Sequence, residues 1–538
     1  MWESLPYSLL LRVLSHLPAK DICRCGCVCV SWSIAADDEL LWRRKFQLDW
    51  KVDPSVPIVK GALWKSEYRR LYYEAPLVES EVLLDHSHQV LHVSFAHDGT
   101  SFASCSKDGH VKLWSASYPA SVIHSRNMRD LSWNYTQFSQ FNESDTLLLV
   151  SGVHFGTHTA SGEIAVFNLK EGFVLQCRVL NKPYDIFGTW YTDHYLLSGR
   201  LFFLGHMISC SAIWLNKAWQ ESESEKEPIV KPMFKFFNIN ASSVRTILVA
   251  NCEQPSSSGN SVPVVPDPCS SQDDDDTDED SADLDSPLDP REKLLIFTTG
   301  TLTYAPHQVG FKRIEPFPFA NPEEPPTLLQ RIAQREEERR YPPDPYGQYF
   351  DDIDHLVDLH GHIIGMGLSP DHRFLYVNSR PWPKGYVIEE PLAPPPIAQE
   401  IDIHVIDLTT MKEVGKLFRS HRAYTPNDEC FFIFLDVSDQ YVASGAEDKK
   451  GYLWDRHYSA CLATLPHSDV VNAVAFNPKD PQMLVTASDD FSLKVWRSRA
   501  KVRELQLPPG DYHMEQAEPS KFFDRAGPSG SSKGCDTA

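Results

Sequence analysis

The first residues place apolar side chains at Leu5, Leu9, Val13, Leu14, Leu17, Ile22, Val28, Trp32, Leu41 and Trp42, mostly three to five apart. That is a helical period. Pro6 and Asp21 stand where helices begin, so the segment reads as a compact helical cluster. A second helical stretch, Ala62 to Tyr73, gathers Leu63, Trp64, Tyr68, Leu71 and Tyr72 on its apolar side. Beyond about residue 78 the period falls to two, and short alternating runs are separated by tight turns such as Lys107-Asp108-Gly109.

Those alternating runs repeat. His86, Val90, Val93, Phe95, Ser104, Asp108 and Trp114 match His467, Val471, Val474, Phe476, Thr486 or Ser488, Asp490 and Trp496 at nearly every spacing. A third copy runs from His421 through Phe434, Ala443, Ser444 and Asp448 to Trp454 and Asp455, again with six residues from Asp to Trp. These residues resemble the WD repeat, which implies four-stranded blades closed into an all-β propeller. The resemblance also implies that the His, the Ser or Thr, the turn Asp and the Trp of each copy share one hydrogen-bond network; blade one would use Ser104 or Ser106. Degenerate copies at 141–169, 174–216, 233–314 and 356–407 bring the count to seven blades, although eight narrower ones also fit the length.

The helical cluster resembles a second family. Its pattern, L-P-x-x-L-x-x-x-[IV]-[IL]-x-x-L-x-x-x-D-[IL] followed by V-C-x-x-W and L-W, is that of the F-box, with Ser8 and Val30 standing where the family often has Glu and Arg. The resemblance implies a Skp-type adaptor contact through Leu5, Pro6, Leu9, Val13, Leu14, Leu17, Ile22, Val28 and Trp32. An F-box over 1–45, a helical linker over 46–77 and a WD propeller over 78–507 form the order of the F-box/WD-repeat family. Such a protein is a non-catalytic substrate receptor of an SCF-type cullin-RING ubiquitin ligase, and it contributes proximity rather than bond chemistry. Two alternatives stay open: a receptor for the cullin-4 adaptor, suggested by partial W-D-x-R matches at Trp454 and Trp496, and a non-ligase interaction scaffold whose helices merely pack.

Composition narrows the partners. With 51 Lys and Arg against 73 Asp and Glu, the net charge of −22 disfavours nucleic acid as a target. No apolar run approaches the ~18 residues needed to span a bilayer. Twelve of the acids, and no Lys or Arg, fall in 253–290. That segment is too poor in large apolar residues to offset ordering entropy, so a disordered loop is expected there, with Ser270, Ser271, Thr277 and Ser286 as candidate phosphorylation sites. Pro-rich excursions are expected at 315–352, with a short helix over 328–340, and at 381–398; a disordered tail is expected at 508–538. Cysteines sit in ordinary strand patterns, which points to a reducing, cytoplasmic location, with nucleus and centrosome as further compartments. Cys23, Cys25, Cys27 and Cys29 lack zinc-site spacing, and the His355, His360 and His362 group is what blade entrances call for. No metal, cofactor or catalytic motif is expected.

In a propeller, the links into each first strand and between second and third strands open on one face. There the sequence places Arg126, Arg129, Trp133, Tyr135, Lys182, Tyr184, Arg245, Arg422 and Tyr424. Arginine and aromatic side chains are the usual anchors of recognition, and these nine are the candidate contacts for an acidic or phosphorylated substrate segment.

Overall fold

The computed structural model describes residues 5–155, 160–220, 229–252, 291–317, 350–414, 418–422 and 432–507. The acidic segment, the expected helix at 328–340 and the C-terminal tail lie outside them. Pro6 and Pro18 stand just ahead of helices α1 (Tyr7–Leu14) and α2 (Ala19–Cys25), where a fixed φ and a missing N–H cost the helix nothing. Asp21 falls in the first turn of α2, a position that complements the helix dipole. Helix α3 (Val30–Ala36) leads into α4 (Glu39–Asp49), whose start is held by Asp38 Oδ1, accepting from the N–H groups of Leu40 at 2.8 Å and Leu41 at 3.2 Å. Helix α5 (Trp64–Tyr73) completes the module.

Seven sheets follow. Each runs from an inner to an outer strand in chain order, giving blade 1 at 90–127, blade 2 at 133–181, blade 3 at 189–238, blade 4 at 245–358, blade 5 at 361–422 and blade 6 at 435–466. Blade 7 is assembled from both ends of the domain. Its three inner strands span 471–497, and its outer strand, Val78–Leu83, comes from before blade 1 and pairs with Leu493–Arg497. Lys494 Nζ to Glu79 at 2.8 Å, and Arg497 bound to both Ser80 and Glu81, lock that closure. A closed ring has no free sheet edge of the usual kind. The count is therefore seven blades; the copies at 174–216, 233–314 and 356–407 and the copy starting at His421 straddle two of them, whereas those starting at His86 and His467 take their strands from blades 1 and 7 alone.

Among the described residues the polar network of the repeat is present in full twice. In blade 1, His86 Nδ1 lies 2.8 Å from Asp108, His86 Nε2 lies 2.8 Å from Ser104 Oγ, and Trp114 Nε1 donates to the same Ser104 Oγ at 2.8 Å. Ser104, not Ser106, is therefore the member from the second strand. In blade 7 the equivalents are His467 to Asp490 at 3.0 Å, His467 to Thr486 at 2.7 Å, and Trp496 to Thr486 at 2.9 Å. The third copy departs from this pattern. His421 lies in a strand of blade 5, paired with Ile401, and Asp448 accepts instead from Tyr452 Oη at 2.6 Å.

Helices and ring share one core. Leu10, Leu14, Ile22, Leu41, Trp42 and Phe46 are continuous with Trp64, Tyr68 and Leu71 of α5, and through them with Tyr441, Tyr458, Leu484 and Trp496 of the propeller. Phe46 stands between Trp64 (ring centroids 5.3 Å apart) and Tyr458 (4.8 Å). A buried polar knot reinforces the joint. Arg70 on α5 reaches Asp455 of blade 6 at 2.7 Å and Glu67 at 2.9 Å, and Tyr458 Oη donates to Glu67 at 3.1 Å. Removing one partner of such a pair strands a charge out of water, which costs about 3 to 5 kcal/mol. Arg70→Ala should therefore lower the urea unfolding free energy by about that amount, whereas Arg24→Ala, which breaks the exposed pair with Asp21, should change it by less than about 1 kcal/mol.

The buried histidines set a pH dependence. Burial holds His86 and His467 below the ordinary imidazole range and His92 down at about 3. The unfolded chain takes up these protons near pH 6.5 and the native chain does not, so stability falls as pH drops below that value. Asp108 and Asp490, also held low by their histidine partners against the opposing effect of burial, lose their contribution only below about pH 4. The melting temperature should fall between pH 7 and pH 5, with His92 alone contributing about 2 kcal/mol of that loss. His92→Leu should flatten the slope; an unchanged slope would place its pKa elsewhere.

Candidate functional site

Two surfaces can carry partners, one on the helices and one on the ring. On the helical module, the inward faces of α1 to α4 supply the core, and what turns outward is also apolar. Leu9, Val13, Val28, Val30, Ile34 and Leu40 are exposed, with Val30 at 77 % and Ile34 at 60 %. Isolated exposed apolar residues are ordinary, but a cluster of six on about thirty residues marks an interaction surface. Among the residues read from the sequence as adaptor contacts, Pro6, Leu9, Val13 and Val28 are exposed, while Leu5, Leu17 and Trp32 are half-buried. Leu14 and Ile22 must be corrected. Both are fully buried in the shared core, so they shape the module and do not face a partner. Val30 and Ile34, one turn apart on α3, are exposed instead.

On the ring, the predicted face exists and the candidate anchors fare unevenly. Arg126, Arg129 and Tyr184 are exposed there, and Tyr135 and Lys182 are half-buried. Arg129 lies over Gly109, where a Cβ would meet its Cγ at 2.8 Å, and donates to the Lys107 carbonyl at 3.5 Å. Trp133 must be corrected: it is 2 % exposed and donates its indole N–H to Glu163, itself paired with Arg178 at 2.7 Å. Arg245 must be corrected as an open cation. Its guanidinium sits 3.0 Å from the buried Asp185, so its charge is already met. Arg422 pairs by backbone with Glu400, and Tyr424 lies outside the described residues.

The sequence reading missed the apolar side chains of the second-to-third-strand links. Phe202, Phe203 and Leu204 on blade 3, Leu302 and Tyr304 on blade 4, and Tyr386, Val387 and Leu392 in the proline-rich link of blade 5 are all exposed. Cross-links hold these loops together. Asn240 Nδ2 donates to the Thr301 carbonyl and Thr303 Oγ1 to the Pro391 carbonyl, each at 2.6 Å. Three adjacent blades thus present one preorganised apolar sector. No group of three or more His, Cys, Asp or Glu side chains suited to a metal occurs among the described residues, and no described helix is long and apolar enough to cross a membrane.

A small helical module fused to a seven-bladed ring, with apolar surface on both, defines an F-box/WD substrate receptor: the helices serve a Skp-type adaptor and the ring serves protein substrates. The F-box-like family model matches residues 2–48, and the WD domain, G-beta repeat model matches 79–115 and 459–497. The chain is 46 % identical to F-box/WD repeat-containing protein 5 of Rattus norvegicus over 94 % of its length and 96 % of the relative's, and 45 % identical to that of Homo sapiens over 94 % and 96 %. A shorter match, 38 % identical over 18 % of each chain, is to the WD repeat-containing protein WDS homolog of Arabidopsis thaliana. The chain belongs to the F-box/WD repeat-containing protein 5 family.

Burial separates the two classes of apolar residue on the module. Ile22→Ala should cost about 2 to 5 kcal/mol in chemical denaturation, because it opens a cavity. Val30→Ala and Ile34→Ala should each stay within about 0.5 kcal/mol, as exposed substitutions do.

Proposed function

We propose that this chain is the substrate-recognition subunit of an SCF-type cullin-RING ubiquitin ligase, docking on the Skp adaptor and cullin scaffold and delivering substrates for ubiquitination and proteasomal degradation. The observation that carries the reading is the joint between its two surfaces. The exposed apolar face of the helices stands on a core shared with blades 6 and 7 and pinned by Arg70, Glu67 and Asp455, and the closed ring connects that joint to the apolar sector on blades 3 to 5. A receptor works by holding a substrate at a fixed place relative to the ubiquitin-charged conjugating enzyme. Its gain is proximity and orientation, and a rigid joint is what such a gain requires. The family resemblance points to cytoskeletal and centriole-duplication regulators as the substrate class, in cytoplasm and at centrosomes.

The cullin-4 reading finds less support. The partial W-D-x-R matches are spent inside the molecule: Asp455 on Arg70, Arg456 Nε on Tyr376 Oη at 3.0 Å, and Arg499 Nη1 on the Tyr72 carbonyl at 2.6 Å. A purely structural role for the helices leaves six exposed apolar residues unexplained.

The test is co-purification. Leu9→Asp combined with Val30→Asp places two charges on the exposed face without entering the core. Adaptor and cullin should be lost from the purified complex while the melting temperature stays within a few degrees of the parent. Undiminished adaptor binding by this folded variant would refute the ligase reading.

A further inference from the structure

Blade 3 is built differently from its neighbours. Its innermost strand is only Thr189–Trp190, whereas its second strand, Tyr195–Gly205, is eleven residues long. The short strand pairs with Leu196 and Leu197 and no further. Just above, the gap is filled once: Gly199 N–H donates to Asn181 Oδ1 at 2.9 Å and the Gly199 carbonyl accepts from Lys182 N–H at 2.8 Å. Backbone groups alternate sides along a strand. Since Gly199 aims its N–H and C=O toward the ring axis side, Leu201 and Phe203 aim theirs the same way. Among the described residues no strand pairs with them there, while the other side of the strand is paired with Ile208–Lys217 as far as Gly205.

The side chains around this open edge are equally unusual. Phe203 is 75 % exposed, and Phe202, Leu204 and Phe237 are exposed beside it. Phe202 and Phe237 both lie opposite Cys210 on neighbouring strands, so they form an aromatic row on one face of the hairpin. The stretch 198–211 contains Arg200 and no carboxylate, in a chain of net charge −22. Proteins blunt exposed edges with charges, prolines or short strands. Here the edge carries none of these between Leu201 and Gly205.

We propose that the upper half of the Tyr195–Gly205 strand is a docking edge that takes an extended, apolar segment of a protein substrate as an added strand. The inference rests on the substrate-receptor reading and deepens it by naming what the substrate presents. Unpaired N–H and C=O groups in register select an extended backbone, and alternating apolar side chains of that segment would cover Phe202 and Leu204, at the outer end of the aromatic row. Main-chain bonds would give affinity, and the aromatic row would give preference. An acidic or phosphorylated segment fits poorly. Arg200, the arginine of this strand, is turned onto the Trp214 ring, its guanidinium 5.6 Å from the ring centroid, and Arg245 on the next blade is already neutralised by Asp185.

The experiment uses the full chain and a phage-displayed library of random ten-residue peptides, with selected sequences resynthesised and titrated by fluorescence polarisation. Phe203→Pro removes an outward N–H while leaving the paired side of the hairpin its bonds. Selected peptides should alternate apolar residues, and both Phe203→Pro and backbone N-methylation of alternate peptide residues should weaken binding about tenfold or more, the loss of one or two hydrogen bonds. Phe202→Ser with Leu204→Ser should weaken it while preserving the edge. Melting temperature and adaptor co-purification serve as folding controls for each variant. Peptides that bind the parent and Phe203→Pro equally, or a library that enriches nothing, would overturn the proposal. So would sedimentation showing a dimer that Phe203→Pro dissociates, since the occupant would then be a second copy. Loss of peptide binding with adaptor binding intact concerns this edge alone, whereas failure of adaptor binding in the parent would sink the ligase reading and leave the edge standing.

Discussion

Asp455 is the residue on which the two halves of this protein depend. It is the acid of the Trp454-Asp455 pair, and its Oδ1 accepts the N–H groups of His457 at 3.0 Å and Tyr458 at 2.8 Å, holding the turn after the third strand of blade 6. Its other oxygen accepts from Arg70 of α5. One buried carboxylate therefore caps a turn in the ring and fastens the helix that carries the module. Burying an ion pair is costly unless the remaining hydrogen-bond capacity is met. Here Glu67, Tyr458 and the turn N–H groups meet it, and the surrounding aromatic core keeps water out. The helical module is thus an extension of the propeller, not a bead on a tether.

Ring closure explains where the complete polar networks occur. They stand in blades 1 and 7, the two blades that meet where the chain's first strand joins its last three. A sheet assembled from distant segments has no short turn to fix its register, and a slip of one residue would invert every side chain. Directional bonds from His86 and His467, with the Glu79 and Glu81 pairs beside them, supply the register that connectivity does not. Blade 2, like blade 1, is built from consecutive strands, but it does not adjoin the closing strand. There Phe167, stacked 4.6 Å from Phe173, fills the tryptophan position, and packing alone suffices.

The same contrast decides what was legible in the sequence. The His, Asp and Trp of a repeat announce themselves because their chemistry needs fixed spacing, and the closed ring follows from their recurrence. Blade boundaries were less visible, since the copies at 174–216, 233–314 and 356–407 take their strands from two blades each. On the helices, period separates apolar from polar positions but not inward from outward faces. When both faces are apolar, as on α1 and α3, Leu14 and Val30 look alike until burial distinguishes them. Arg245 looked like an open cation because Asp185, its partner, lies sixty residues earlier in sequence. The run Leu201-Phe202-Phe203-Leu204 carries no sign of exposure in the sequence. Its exposure follows from the two-residue strand beside it, which no local pattern signals.

These differences bear on how the receptor chooses. A surface of free arginines would read charge and would be tuned by phosphorylation. The described surface leaves Arg126 and Arg129 exposed on blade 1, keeps Arg245 and Arg178 on internal carboxylates, and on blades 3 to 5 turns aromatic and aliphatic side chains outward. Apolar contact is non-directional and discriminates weakly, about 1 to 3 kcal/mol per methylene-sized misfit. Backbone pairing demands an extended chain but is blind to sequence. A receptor built on the two together would accept several substrates that share a strand-forming apolar segment, and its selectivity would come from whether that segment is exposed in the substrate. Folding or assembly that buries the segment would remove the substrate from reach, so recognition would report the state of the target as much as its sequence.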